Sequence, residues 1–194
     1  EVRKEITVKA GQKCTAIRRI FVPENKLEDV QIALGKALSQ TTIGNPLNEK
    51  VRMGALAGQS QRDEVKAQVQ KLLASSQIIY GSLDSVSLVD ADAAKGAFIS
   101  PLLLLNENPL YATGVHEIEA FGPVSTLMPY SSIEEAIHLA RMGKGSLCST
   151  IVTANDLAAG CDRYQKLSQD FVADLVVTGH AFRRLENAPD LSRI

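Results

Sequence analysis

With 194 residues, 45% of them hydrophobic, the chain is long enough for one domain with a full core and too short for two. Its 21 Lys and Arg against 22 Asp and Glu leave no field that would gather polyanions or anionic lipid, which argues against nucleic acid and membrane partners. Three cysteines at irregular spacing fit neither a disulfide framework nor a zinc pair and point to a reducing, cytoplasmic compartment, while the longest strongly apolar stretch, Pro101 to Leu105, is far short of a membrane span.

The chain starts without Met, in residues that read as the middle of an element, and is expected to be a piece of a larger protein; Glu1 to Lys9 is too charged for a signal peptide. Arg18 to Val22 has strand character and is stopped by Pro23. Asn25 and Glu28 read as a capping box, opening a helix with Leu27, Val30, Leu34 and Leu38 on one face. Gly44-Asn45-Pro46 begins a loop that ends near Gly58, and Val65, Val69, Leu72 and Leu73 mark a second amphipathic helix. Gln77 to Tyr80 is a short strand, and Gly81 to Gly96 reads as a surface excursion or a hairpin. Pro101 interrupts the apolar run Ala97 to Leu105 and assigns its start to an edge or bulge position.

Phe121 to Pro129 is another strand, followed by a capping box of Ser132 and Glu135 and a helix to about Met142, ended by Gly143 and Gly145. Ser149 to Thr153 is strand-like, Thr153 with Asp156 caps a helix to about Gln169, and Asp174 to Thr178 is a last strand. Alternating strands and helices, with short continuous β-branched strands, predict an α/β class: a largely parallel sheet with helices on both faces. Residues 179–194 carry three arginines and little periodicity and read as a loosely held tail.

Cys14 lies in Val8-Lys9-Ala10-Gly11-Gln12-Lys13-Cys14-Thr15-Ala16-Ile17-Arg18-Arg19, beside a small-residue turn and without the apolar neighbours of a core thiol. Thiolate is the nucleophilic form, and Lys13, Arg18 and Arg19 are candidate cations to favour it; a lone cysteine is also a common buried hydrophobe, so residue type alone leaves both readings open. Cys148 and Cys161 read as core thiols. His116, His138 and His180 are scattered without an i, i+4 pair, which argues against zinc or any other metal. They leave open an acyl-transfer site in which Cys14 uses His116 or His180 as base, whereas His138 is placed on a partly exposed helix face. Glu117-Ile118-Glu119-Ala120-Phe121-Gly122-Pro123-Val124 puts carboxylates at a strand entrance, where α/β enzymes bind ligands; solvated glutamates and a core Phe121 read it equally well.

Taken in order, Gly11-Gln12-Lys13-Cys14, Gly44-Asn45-Pro46 with Met53-Gly54-Ala55-Leu56, Gly96-Ala97-Phe98-Ile99-Ser100-Pro101 and Glu119-Ala120-Phe121-Gly122-Pro123-Val124 resemble four motifs of the aldehyde dehydrogenase superfamily. The resemblance covers residues 1–178 and implies part of a catalytic domain, with a divergent tail at 179–194. It is most similar to the aldehyde dehydrogenase half of the bifunctional ring-opening enzyme of bacterial phenylacetate degradation, and nearly as similar to the semialdehyde dehydrogenase of benzoyl-CoA degradation. The resemblance implies oxidation of a small-molecule aldehyde, a semialdehyde linked to coenzyme A, to its acid with NADP or NAD.

By the same resemblance, Cys14 is the nucleophile, forming a thiohemiacetal and then a thioester, and its backbone N–H is one oxyanion donor. Glu119 matches the carboxylate that holds the nicotinamide-side ribose, and Phe121 the aromatic beside that ring. The family's general base, oxyanion-hole asparagine and most of its dinucleotide-binding domain precede the cysteine and are not in this chain, so the chain alone is not expected to turn over. A homo-oligomer is implied for the full-length protein. The alternative is a binding or scaffold module that kept the fold and lost the activity.

Overall fold

The computed structural model describes residues 1–143, 146–147, 149–152 and 175–177. The helix expected after Thr153, Cys148, Cys161, His180 and the tail at 179–194 lie outside the described residues. In chain order the elements are α1 (Val2–Thr7), β1 (Arg19–Pro23), α2 (Leu27–Ser39), β2 (Ile43–Gly44), α3 (Gln59–Leu72), β3 (Gln77–Tyr80), β4 (Leu88–Val89), β5 (Leu102–Leu105), α4 (Gly114–Glu117), β6 (Val124–Tyr130), α5 (Ile133–Arg141), β7 (Thr150–Val152) and β8 (Leu175–Val177). Six strands pair in the order β3-β5-β6-β1-β8-β7, all parallel except β3, which is antiparallel to β5.

The central strands are apolar at successive positions because both faces of the sheet are covered. Ile20 and Val22 of β1, Leu103 and Leu105 of β5 and Leu127 of β6 pack with Ile6 of α1 and Val30, Leu34 and Leu38 of α2. Phe21, Leu102, Leu104 and Met128 point to the other side, onto Val65, Val69 and Leu72 of α3 and Ala136 and Leu139 of α5. Full burial of each leucine is worth about 1.5–3 kcal/mol, so the four of β5 alone anchor the sheet to both helical layers.

Three local expectations change. At α2 there is no capping box: a 3₁₀ turn over Glu24–Lys26 runs directly into the helix, and Asn25, inside that turn, has no extended backbone from which to cap. Residues 81–96 form no hairpin; β4 pairs in parallel with β2 instead. Pro101 does not place its run at an edge, because it immediately precedes β5, an interior strand, where its missing N–H removes no ladder bond; the irregularity falls on β3, between Ile78 and Tyr80. Ser132 does cap α5, its Oγ accepting from Glu135 N at 3.2 Å. The Glu135 carboxylate reaches one residue farther back than expected, to the Ser131 N–H at 2.8 Å.

Strands β1 and β6 are adjacent and parallel, so the segments leading into them arrive at the same end of the sheet. Thr126 N–H donates to Arg18 O at 2.9 Å and Ser125 Oγ donates to Ile17 O. Further back, Gly11 has φ +70°, and a Cβ on it would lie 2.2 Å from Gly122 O. Glycine is required there on both counts, conformation and space.

Arg19 of β1 is wholly buried, its guanidinium spanning two elements. Nη1 donates to Leu139 O at 3.0 Å and Nη2 to Ala140 O at 3.1 Å, both in the last turn of α5, where the helix dipole favours a cation. A Cβ on Gly143 would fall 1.6 Å from Nη2, so that position must stay bare. Burial and the neighbouring Arg18 charge push the Arg19 pKa down to about 9, which leaves it protonated at pH 7. Nη1 also lies 2.7 Å from Nδ1 of His116, which is 1% exposed, and His116 Nε2 lies 2.8 Å from Pro109 O. A guanidinium only donates, so Nδ1 accepts and Nε2–H donates to Pro109 O, which fixes a neutral imidazole.

Burial, opposed by the Pro109 bond and aided by the charges of Arg19 and Arg18, pushes the His116 pKa down to about 4 from its usual 6.5. The unfolded chain therefore takes up a proton as pH falls through 6.5 that the folded chain refuses until about 4, and stability drops across that window. Urea titrations should show a loss of about 1 kcal/mol from this group between pH 7 and pH 5.5, and His116→Gln should remove that share of the slope. Gly11→Ala should lower stability by about 1–3 kcal/mol, since both the clash and the left-handed backbone oppose it; a wild-type urea midpoint would contradict the close packing.

Candidate active site

A cleft of about 690 Å³ opens at the end of the sheet where β1 and β6 begin, and all four sequence motifs contribute to its wall. Gln12 comes from the first, Pro46, Met53, Gly54 and Ala55 from the second, Phe98 from the third and Phe121 from the fourth. The loops are tied together directly. Gln12 Oε1 accepts from Ala57 N–H at 2.8 Å, Gln12 Nε2 reaches Gln61 Oε1 at 3.4 Å, and Leu56 N–H donates to Ala97 O at 3.0 Å.

In open α/β sheets ligands ordinarily bind beyond the carboxyl ends of the strands. Here the cleft lies at the amino ends of β1, β5 and β6, which are mutually parallel. The cleft therefore lies at a strand entrance, the opposite end from the usual crevice, and of residues 117–124 it takes Phe121 into its wall. The approach to β1 is also strained: Lys9 and Ala10 have φ 53° and 51°, in the left-handed region that costs a residue with a side chain about 1–2 kcal/mol. With Gly11 they turn the chain abruptly from α1 towards Cys14.

Cys14 is exposed, which removes the reading of a buried hydrophobe. It sits in a turn in which Lys13 N–H donates to Gly11 O and Ala16 N–H to Lys13 O, both at about 3 Å, while no hydrogen bond of the Cys14 N–H is found among the described residues. The three cations next to it in sequence are engaged elsewhere. Lys13 pairs with Glu5, and Arg19 turns into the core. Arg18 reaches His116 O at 3.4 Å; burial lowers its pKa and the charge of Glu119 raises it.

Glu117 and Glu119 are exposed, and Phe121, 39% exposed, forms cleft wall rather than a core anchor. His116 cannot act as a base for Cys14, because it is buried and both of its ring nitrogens are bonded. His138 lies exposed on α5, as expected. Gln61, in the first turn of α3, is a cleft residue that the motifs do not contain; nothing local marks it, since it reaches the cleft only through the packing of α3. Lys9 and Arg52, also on the wall, are missed as well, although each lies within two residues of a motif. Among the described residues no cluster of His, Cys, Asp or Glu is suited to a metal, and no helix is long and apolar enough to cross a membrane.

The sequence model of the aldehyde dehydrogenase family matches residues 1–165. The chain is 39% identical over 155 residues to 3,4-dehydroadipyl-CoA semialdehyde dehydrogenase of Aromatoleum evansii, an alignment covering 80% of the chain and 30% of that protein. It is 45% identical over 104 residues to Protein MaoC of Klebsiella aerogenes, covering 53% of the chain and 29% of the relative. The chain thus spans about 30% of the length of these curated relatives. HpcC of Thermus thermophilus superposes with a TM-score of 0.75 at 25% identity, over 96% of the chain and 35% of HpcC. A mutant of aldehyde dehydrogenase C of Pseudomonas syringae, solved with NAD+ and octanal, shares the fold with a TM-score of 0.73 at 20% identity, over 94% of the chain and 36% of its own. With most of its length matched by the family's sequence model and its fold shared with solved aldehyde dehydrogenases, this chain belongs to the aldehyde dehydrogenase family.

Proposed function

We propose that the protein containing this chain oxidises an aldehyde to its carboxylic acid with NAD or NADP, that Cys14 is the nucleophile, and that residues 1–178 form part of its catalytic domain, followed by a divergent tail. The observation that carries this reading is the convergence of four separated sequence motifs on one cleft, with an exposed thiol two residues beyond Gln12 on its wall. The substrate is a semialdehyde linked to coenzyme A, in aromatic-compound catabolism of the phenylacetate type. Support for it comes from the relative at 39% identity, which is named for such a compound. A homo-oligomer in a reducing cytoplasm completes the reading.

The Cys14 Sγ adds to the aldehyde carbon, giving a thiohemiacetal whose oxidation leaves a thioester for water to cleave; sulfur thereby divides one hard step into two easier ones. The Cys14 N–H, with no partner among the described residues, is available to the developing oxyanion, and losing one such donor typically costs about 2.7–4 kcal/mol of barrier. The cofactor side also fits the residues present: an exposed carboxylate at Glu119 can accept from the hydroxyls of a ribose, and the exposed Phe121 ring offers a flat apolar surface on the cleft wall. A nicotinamide bound there supplies the hydride acceptor. The presence of NAD+ in the aldehyde dehydrogenase C structure supports this class of cofactor.

In the full-length protein, Cys14→Ala should abolish aldehyde-dependent NAD(P)H formation; retained turnover would point to a scaffold role for this chain. Brief iodoacetamide treatment followed by peptide mapping should find Cys14 modified before Cys148 and Cys161, and the reverse order would overturn the nucleophile assignment. Glu119→Gln should raise the dinucleotide KM about tenfold, about 1.4 kcal/mol, with the rate of Cys14 alkylation unchanged.

A further inference from the structure

We infer that Arg19 and His116 are positioning residues that hold the Glu119 segment in register with β1, the strand that follows the Cys14 turn. This inference rests on the proposed cofactor role of Glu119. Helix α4 has only four residues, Gly114–Glu117, and is too short to hold its own orientation. Glu119 follows it by two positions. Val115 packs α4 into the core, and its polar anchor is His116, held at three points: its Nδ1 by Arg19 at 2.7 Å, its Nε2 by Pro109 O at 2.8 Å, and its backbone carbonyl by Arg18 Nη2 at 3.4 Å.

Arg18 and Arg19 are consecutive residues at the start of β1, four and five positions after Cys14. Through them the strand that follows the Cys14 turn grips the turn that carries the carboxylate. Arg18 adds a direct electrostatic link, since the charge of Glu119 raises its pKa. The same Arg19 fork is bonded to Leu139 O and Ala140 O of α5, so the position of α4 is referred to the sheet and to a second helix together.

Stability alone is a poor reason for this arrangement. A fully buried guanidinium is costly to take out of water, and an apolar pair of similar volume would fill the space without that cost. Directionality is what the polar pair adds: the planar guanidinium fork admits its acceptors only at set angles, and a neutral imidazole bonded at both nitrogens cannot rotate. Each ring nitrogen of His116 has a different task. Nδ1 registers α4 against β1, and Nε2 registers it against the Pro109 turn.

The test measures dissociation constants of NAD+ and NADP+ for the full-length protein by calorimetric titration, with folded content followed by circular dichroism. His116→Phe, which removes both ring bonds, should weaken binding about tenfold, as Glu119→Gln does, and the double variant should be no weaker than the poorer single variant. His116→Asn, whose Oδ1 can take the place of Nδ1 as acceptor for Arg19, should recover most of the affinity. Cys14 alkylation should keep its wild-type rate in all of them.

Wild-type affinity in folded His116→Phe, with Glu119→Gln weakened, would overturn the positioning role and leave the Glu119 assignment standing. If neither variant weakens binding, the Glu119 assignment itself fails and the positioning role with it. Should His116→Phe not fold, Arg19→Lys applies the same test, because it keeps the charge and loses the fork; unchanged affinity there would likewise overturn the inference.

Discussion

The backbone of Gly11 passes so close to the carbonyl of Gly122 that a β-carbon would lie 2.2 Å from its oxygen. This contact joins the segment ahead of Cys14 to the turn after Glu119 and Phe121, although more than a hundred residues of chain separate them. It is possible because β1 and β6 are parallel neighbours, so the two approaches reach the sheet side by side. The pairing in turn depends on two covered faces, with Phe21 and Met128 packed to one side and Ile20 and Leu127 to the other. The cleft is thus a consequence of strand order: any other partner for β1 would separate the Gln12 and Phe121 walls.

Placing a site at the amino ends of strands has a structural cost that is visible locally. The chain must leave α1, reverse direction and enter β1 within a few residues, and it does so with Lys9, Ala10 and Gly11 all at positive φ. Backbone strain of this kind persists where the surroundings over-determine it. Here the Gly122 carbonyl bounds one side, and the Gln12 amide, bonded to Ala57 N–H, holds the other. The turn is built to present the residues that follow it.

Charge proximity in sequence proved a poor guide to charge proximity in space. Lys13, Arg18 and Arg19 surround Cys14 along the chain, yet Lys13 pairs with Glu5, Arg18 with the segment around His116 and Glu119, and Arg19 with the carbonyls ending α5. The cations after the cysteine therefore connect elements rather than bathe the thiol. Phe21 contributes to the same region, its ring centroid 5.2 Å from the Arg19 guanidinium carbon.

Periodicity and punctuation by themselves determined the α/β class, the apolar faces of α2 and α3, the Ser132 cap and most strand positions, because those depend on neighbours three or four residues away. Cys14, Glu119 and Phe121 were picked out from short local motifs, and Phe121 lies on the cleft wall. Tertiary structure alone decided the rest. The parallel match of β4 with β2 is a long-range pairing with no local signal, and the failed cap at Asn25 came from a 3₁₀ turn that runs continuously into the helix. Gln61 reaches the cleft, and His116 becomes a buried, doubly bonded anchor, only through packing between segments far apart in the chain. Local sequence specifies what a backbone segment prefers; which groups meet, and which of them are shut away from water, is set by the order in which the strands assemble.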